Sequence, residues 1–273
     1  MKPESIRALV TGGAGGIGGA IADELLARGA AVLLVGRDAA TLARASDRLA
    51  HFGERVGTIA ADLTSPADRA RVCAVAATWC GGINVLINNA GVSHFCMFAD
   101  QPPAQLDHAI AINLLAPIHL CRELLPQLQR QPEACILNNG SVFGAIGYPG
   151  YAVYSATKFA LRGFTEALRR ELADTRVTVS YVAPRATRTG INTPAVEHMN
   201  DELGVAMDPP EVVAREVCDM LAGKRLESVI GWPEKLFARV NGILPRVVDG
   251  ALRRQLPVIR RHAGESAAAA SRT

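Results

Sequence analysis

In YPGYAVYSATK (148–158), Tyr154 stands four residues before Lys158, and three of the chain's four tyrosines fall in this one run. Positions i and i+4 of a helix share a face, so the phenol and the ammonium look into one space. An isolated tyrosine titrates at about pH 10 and is a poor acid or base near neutrality. A neighbouring ammonium stabilises the phenolate and draws its pKa toward the working range. The plainer alternative is a half-buried aromatic beside a solvated lysine.

A second constellation opens the chain. Arg7 to Val10 is apolar and enters TGGAGGIGGA (11–20), after which Ile17 to Arg28 has helical periodicity. A strand, a glycine turn and a helix N-terminus make a site for a pyrophosphate, because the backbone can approach and its free N–H groups favour the anion. Gly12, Gly16 and Gly18 are spaced GxxxGxG, which is neither GxGxxG nor a Walker loop. In the next strand, AVLLVGRD (31–38), Gly36 falls where an acid for free ribose hydroxyls would stand, and Arg37 follows. A guanidinium in place of that acid suits a 2′-phosphate, so NADP is expected over NAD. Asp38 either caps the next helix or holds a ribose. Asp62 and Leu63, ending the third strand, are placed to frame an adenine, with Asp62 alternatively an N-cap.

These groups need a scaffold to position them. Near-continuous Val, Ile and Leu runs at 31–35, 56–60, 85–87, 135–137 and 177–182 alternate with helical stretches at 39–52, 66–79, 106–128 and 155–172. That pattern predicts an α/β fold, a doubly wound (Rossmann-like) parallel sheet with helices on both faces. A single catalytic domain is expected over 1–232, with a substrate loop at about 185–208. A basic amphipathic extension follows at 233–262, then a disordered tail at 263–273.

With Thr11, Gly12, Gly16 and Gly18, Asn-Asn-Ala-Gly at 88–91, and Asn113, Ser141, Tyr154 and Lys158, the chain resembles the short-chain dehydrogenase/reductase family. The likeness is to its single-domain form, over roughly residues 6–232, with Ser141 thirteen residues ahead of Tyr154 as the family pattern has it. The resemblance implies hydride transfer between NADP and a carbonyl. Tyr154 would supply the proton, Ser141 would hold the carbonyl oxygen, and Lys158 would bind the nicotinamide ribose. Asn113 would share a relay water with Lys158. Cofactor contacts are implied at Gly12, Gly16, Ile17, Gly18, Arg37, Asp62, Leu63, Asn89, Ala90, Gly91, Tyr154, Lys158, Pro184, Thr187 and Thr189. Pairing of the long helices implies a homodimer or homotetramer. One departure stands out: Pro184-Arg185 replaces the family's Pro-Gly, sending Arg185 either to the cofactor diphosphate or to the substrate cleft. Tyr148 and Tyr151 either line the substrate mouth or cover the loop after Ser141.

The loop at 188–206 mixes Ile191, Pro194, Val196, Met199 and Leu203 with no cluster of cations, which suits a moderately apolar ketone or aldehyde. A 3-oxoacyl-thioester reductase is the alternative enzyme, and a non-catalytic NADPH sensor the alternative of another class. Between Lys235 and Arg261 there are seven basic residues and one acid, leaving 22 basic and 25 acidic residues elsewhere. The net charge of +3 is therefore local to this stretch, which argues against nucleic-acid binding. Apolar residues at helical spacing there predict a stripe that lies on an anionic membrane, caps its own domain or packs in an oligomer, with Pro245 splitting or kinking the helix. Six scattered cysteines without CxxC, and six histidines without ligand spacing, predict free thiols in a reducing cytoplasm and no metal.

Overall fold

The structure, a computed structural model, describes residues 1–270. Seven strands form one parallel sheet: β1 (Arg7–Thr11), β2 (Ala31–Gly36), β3 (Val56–Ala60), β4 (Val85–Asn88), β5 (Ala134–Asn139), β6 (Val177–Ala183) and β7 (Glu227–Val229). Their order is β3-β2-β1-β4-β5-β6-β7, so the winding reverses between β1 and β4 and opens a crevice at the carboxyl ends of those strands. The doubly wound α/β fold expected from the strand pattern is the one found.

Alternate strand residues feed two cores, as the pleat requires. Ala8, Val10, Val32 and Leu34 meet α1 (Gly16–Ala27), α2 (Ala39–Leu49) and α8 (Pro210–Gly223) on one face. Leu9, Leu33 and Val35 meet α3 (Pro66–Thr78) and α5 (Ala116–Gln129) on the other. Each fully buried leucine contributes about 1.5–3 kcal/mol by leaving water. The continuous 103–129 helical stretch is long and apolar enough to cross a bilayer, yet Leu120, Leu124 and Leu128 are buried against the sheet. It comprises α4 (Pro103–Ile110), one π-helical turn (Ala111–Leu115) and α5.

The remaining helices surround the crevice. They are α6 (Ala152–Glu171), α7 (Pro194–Glu202), α9 (Glu234–Ile243) and α10 (Pro245–Ala270). Pro245 divides α9 from α10, as a residue without an N–H does best at a helix start. Val248, Ile259 and Ala263 turn inward from α10, and its His262 and Arg261 bond Glu202 of α7. Residues 263–270, expected as part of a disordered tail, continue α10, because the alanine-rich end is a strong helix former. Residues 271–273 of that tail lie outside the described residues.

Candidate active site

The glycine turn follows β1. Gly12 and Gly16 have φ of 64° and 54°, the left-handed region that other residues occupy at a cost. At Gly18 a Cβ would lie 2.1 Å from the Gly12 carbonyl oxygen and 2.5 Å from Asn89 Nδ2. The turn is tied to β4 through Thr11, whose Oγ1 accepts from the backbone N–H of Asn89 and of Ala90, both at 2.9 Å. Asn89 Nδ2 donates to the Thr11 carbonyl at 2.9 Å, and Asn139 Nδ2 donates to Asn89 Oδ1 at 2.8 Å. Asn139 lines the cavity, with its Oδ1 buried and without a partner. No side chain caps the N-terminus of α1. A close backbone cradle and uncapped N–H groups fit the phosphates of a dinucleotide.

The crevice leads to Ser141, Tyr154 and Lys158 through a cavity of about 750 Å³. Ser141 follows β5 and begins a short 3-10 turn, its Oγ accepting from Phe143 N at 3.1 Å. Tyr154 and Lys158 lie one turn apart on α6, with Ser141 near enough to the Tyr154 hydroxyl to draw its pKa down. Lys158, 4% exposed, donates from Nζ to the Asn139 carbonyl at 2.9 Å and sits 5.6 Å from the Tyr154 ring centroid. Burial pushes the Tyr154 phenol up to about 12, against the pull of Ser141. The same burial pulls Lys158 down to about 8. The expected lowering of the phenol by Lys158 is thus outweighed: both groups lose water, and the ammonium bonds a carbonyl.

Asn113 lies 1% exposed in the π-helical turn. Its Oδ1 accepts from Val92 N at 2.8 Å, and its Nδ2 donates to the Val92 carbonyl at 2.9 Å. The extra residue of a π turn lets a polar side chain leave the helix for such a partner. A Cβ on Gly91 would lie 3.2 Å from Asn113 Oδ1 and 3.9 Å from Lys158 Nζ, so Gly91 holds open the space between them.

Gly12, Gly16, Ile17, Asn89, Ala90, Gly91, Pro184, Thr187 and Thr189 line the same cavity, while Gly18 and Asn113 stand behind its wall. Arg37, Asp62 and Leu63 do not line it. Leu63 is in the core, and Asp62 accepts from Thr64 N at 2.9 Å and Thr64 Oγ1 at 2.8 Å. Those bonds hold the Asp62 carboxyl below its usual range, with a smaller contribution from Arg37. Asp62 is not the N-cap of α3; Ser65 is. Asp38 is the N-cap of α2, accepting from Thr41 N at 2.5 Å.

Three features escaped the motif reading. Tyr181, on β6, places its hydroxyl 3.4 Å from Ser141 N and 3.5 Å from the carbonyls of Ser141 and Lys158. It needs glycine at two neighbours, since a Cβ on Gly140 or Gly144 would lie 2.1 or 2.3 Å from that oxygen. Arg185 lines the cavity, the cleft side of its two expected directions, while its guanidinium forks onto Asp208 at 2.9 and 2.7 Å and donates to the Trp232 carbonyl at 3.0 Å. It thereby ties the base of the 185–208 loop to the start of α9. Finally, Trp232 from the turn before α9, and Phe237, Val248 and Leu252 from the C-terminal helices, line the cavity, which Tyr148 and Tyr151 also enter. Tyr148 additionally donates to Gln255 Oε1 at 3.2 Å. Tyr148 stacks on Phe143 and Tyr151 packs against it at a tilt, so mouth and loop cover are the same surface.

Comparison with known proteins follows this geometry. A family profile described as short chain dehydrogenase matches residues 7–200. The chain is 34% identical over 210 residues to the D-beta-hydroxybutyrate dehydrogenase of Cupriavidus necator, covering 77% of this chain and 80% of that one. A short chain dehydrogenase/reductase from Burkholderia phymatum, solved in complex with NAD, shares the fold at a TM-score of 0.81, with 23% identity over 89% of this chain and 94% of that one. The 3-ketoacyl-(acyl-carrier-protein) reductase of Brucella melitensis, complexed with NADH, has a TM-score of 0.76 and 26% identity over 83% of this chain and 98% of that one.

These bound cofactors overturn the expectation of NADP over NAD. The physical reason lies at the rim. Arg37 is exposed beside two carboxylates, Asp38 next to it in the chain and Asp62, whose charge it partly offsets. The guanidinium is thereby partly neutralised by the Asp62 carboxylate beside it, which weakens its hold on a 2′-phosphate. The glycine turn, the Ser141–Tyr154–Lys158 cluster and the profile match agree, and the chain belongs to the short chain dehydrogenase family of oxidoreductases.

Proposed function

We propose that this chain is an NAD-linked reductase, or the reverse alcohol dehydrogenase, acting on a hydrophobic ketone or aldehyde. The observation that carries the reading is one cavity joining the glycine turn to Ser141, Tyr154 and Lys158 and ending among Val196, Met199, Leu203 and Phe237. NADH, when bound, supplies the hydride. Gly12, Gly16, Ile17, Asn89, Ala90, Gly91, Pro184, Thr187 and Thr189, which line the cavity, would hold the cofactor. Tyr154, kept protonated by burial, gives its proton to the carbonyl oxygen as charge develops there. Ser141 holds that oxygen by a hydrogen bond, and Lys158 carries the positive charge that favours phenolate once the proton has left. Asn113 fixes the loop after β4 against the site through Val92.

A second reading, reduction of a 3-oxoacyl thioester, is favoured by the likeness to the Brucella melitensis reductase. The chain is further proposed to assemble as a homodimer or homotetramer through α5 and α6, near which Leu115 and Phe159 remain exposed.

The test is titration with NADH by nicotinamide fluorescence, followed by a panel of apolar ketones and a 3-oxoacyl thioester. NADH binding with oxidation on one class supports the proposal and selects between the readings. Binding without oxidation on any of them counts against both.

A further inference from the structure

The inner face of the C-terminal helices is accounted for. Val248, Ile259 and Ala263 are buried, and Asn241 Nδ2 donates to the Ala145 carbonyl at 2.8 Å, seating α9 over the loop that follows Ser141. The outer face is not. Trp232, Leu236, Phe237, Ile243, Leu244 and Val247 stay exposed, from 42% for Phe237 to 79% for Ile243. Leu236, Phe237 and Ile243 lie on α9, and Leu244 and Val247 at its junction with α10, so the exposed apolar residues gather in one short stretch of chain. Side chains this large, contiguous and exposed mark a docking surface.

Two observations say what it docks on. Lys235, Arg239 and Arg246 are interleaved with the apolar residues, and Asp249 is the sole acid between positions 235 and 261. A second copy of the chain is a poor partner, because a two-fold contact sets a patch against itself and would bring these cations together. A surface of anionic phospholipid neutralises them while the apolar side chains enter the headgroup boundary. Trp232 and Phe237 also line the substrate cavity, so the doorway to the site lies within this face.

We propose that α9 and the start of α10 dock on an anionic bilayer and that the cavity takes a lipid-soluble substrate directly from it. The substrate half rests on the oxidoreductase reading; the docking half does not. Flotation of the full chain with vesicles tests the docking without any turnover. Vesicles of phosphatidylcholine containing phosphatidylglycerol should carry the chain at least tenfold better than phosphatidylcholine alone, and salt should weaken the binding. The double substitution Ile243→Asp, Leu244→Asp should lower the bound fraction at least tenfold while NADH fluorescence titration stays unchanged, since neither residue lines the cavity. Should that variant fail to fold, Lys235→Glu with Arg239→Glu should abolish the preference for anionic vesicles. Wild-type chain that does not float, or floats equally on both compositions, overturns the proposal. So does a chain that sediments as an oligomer which Ile243→Asp dissociates, because a second copy would then cover the face. Loss of hydride transfer with flotation intact would refute the oxidoreductase reading alone.

Discussion

Burial acts on Tyr154 and Lys158 in opposite senses, raising one to about 12 from 10.0 and lowering the other to about 8 from 10.5. Below pH 8 the folded chain bears the cost of a buried ammonium. From about 8 upward the unfolded chain keeps a proton that the folded chain has released, so stability rises with pH. Above pH 10 the phenol reverses this, because the folded chain then holds the extra proton. Melting temperature is therefore expected to carry a rising contribution between about pH 8 and 10 that Lys158→Met removes; an equal rise in the variant would assign it to other groups. Tyr154→Phe should lower kcat by about 10²- to 10⁴-fold with NADH binding retained, and unchanged turnover would show that the proton comes from elsewhere. Gly144→Ala forces a Cβ against the Tyr181 hydroxyl and should destabilise by about 1–3 kcal/mol. Adding Tyr181→Phe should recover part of that loss in denaturant unfolding, and strict additivity would mean that the two do not meet. Nothing in VTVSYVA singles out Tyr181, whose partner Ser141 is 40 residues away. Ser141, Tyr154 and Lys158, in contrast, could be found because they are spaced as a motif, and Asn113 through the family resemblance.

At the scale of elements, strands buried on both faces were legible as unbroken Val, Ile and Leu, and only their ends moved. β5 runs from Ala134 to Asn139 where the apolar run stops at Leu137, because Asn138 and Asn139 are buried polar partners of Asn88 and Asn89. α6 starts at Ala152, three residues before the reading, since Tyr151 precedes it without a side-chain cap to announce it. The cofactor preference failed for a related reason: the charge around Arg37 includes Asp62, which only the pairing of β2 with β3 brings alongside. Arg185 is likewise unreadable from its neighbours, since its partners come from two later segments. Its side chain and that of Asp208 are only 17% and 14% exposed, so Arg185→Ala strands a carboxylate at the cost of roughly 3 kcal/mol. The expected result is faster proteolysis within 185–208 and a raised KM, and a loop as resistant as the wild type would show that the clamp is dispensable.

Across the whole molecule, large apolar side chains stay exposed at Leu115, in the π-helical turn before α5, at Phe159 of α6 and on the C-terminal helices. Phe159→Glu should yield monomers in sedimentation velocity if Phe159 lies in the subunit contact; an unchanged species would move that contact elsewhere. The Arg185 clamp has a consequence for transplanting parts between relatives. At Gly231, with φ of 99°, a Cβ would lie 2.5 Å from Arg185 Cδ, so the arginine requires glycine there as well as Asp208 opposite it. Arg185, Asp208 and Gly231 are therefore one structural unit spread over three stretches of chain. A chimera that exchanges the 186–207 loop alone keeps the unit whole and should fold. One whose junction falls between Asp208 and Gly231, joined to a parent with the family's glycine after the proline, would receive half a lock.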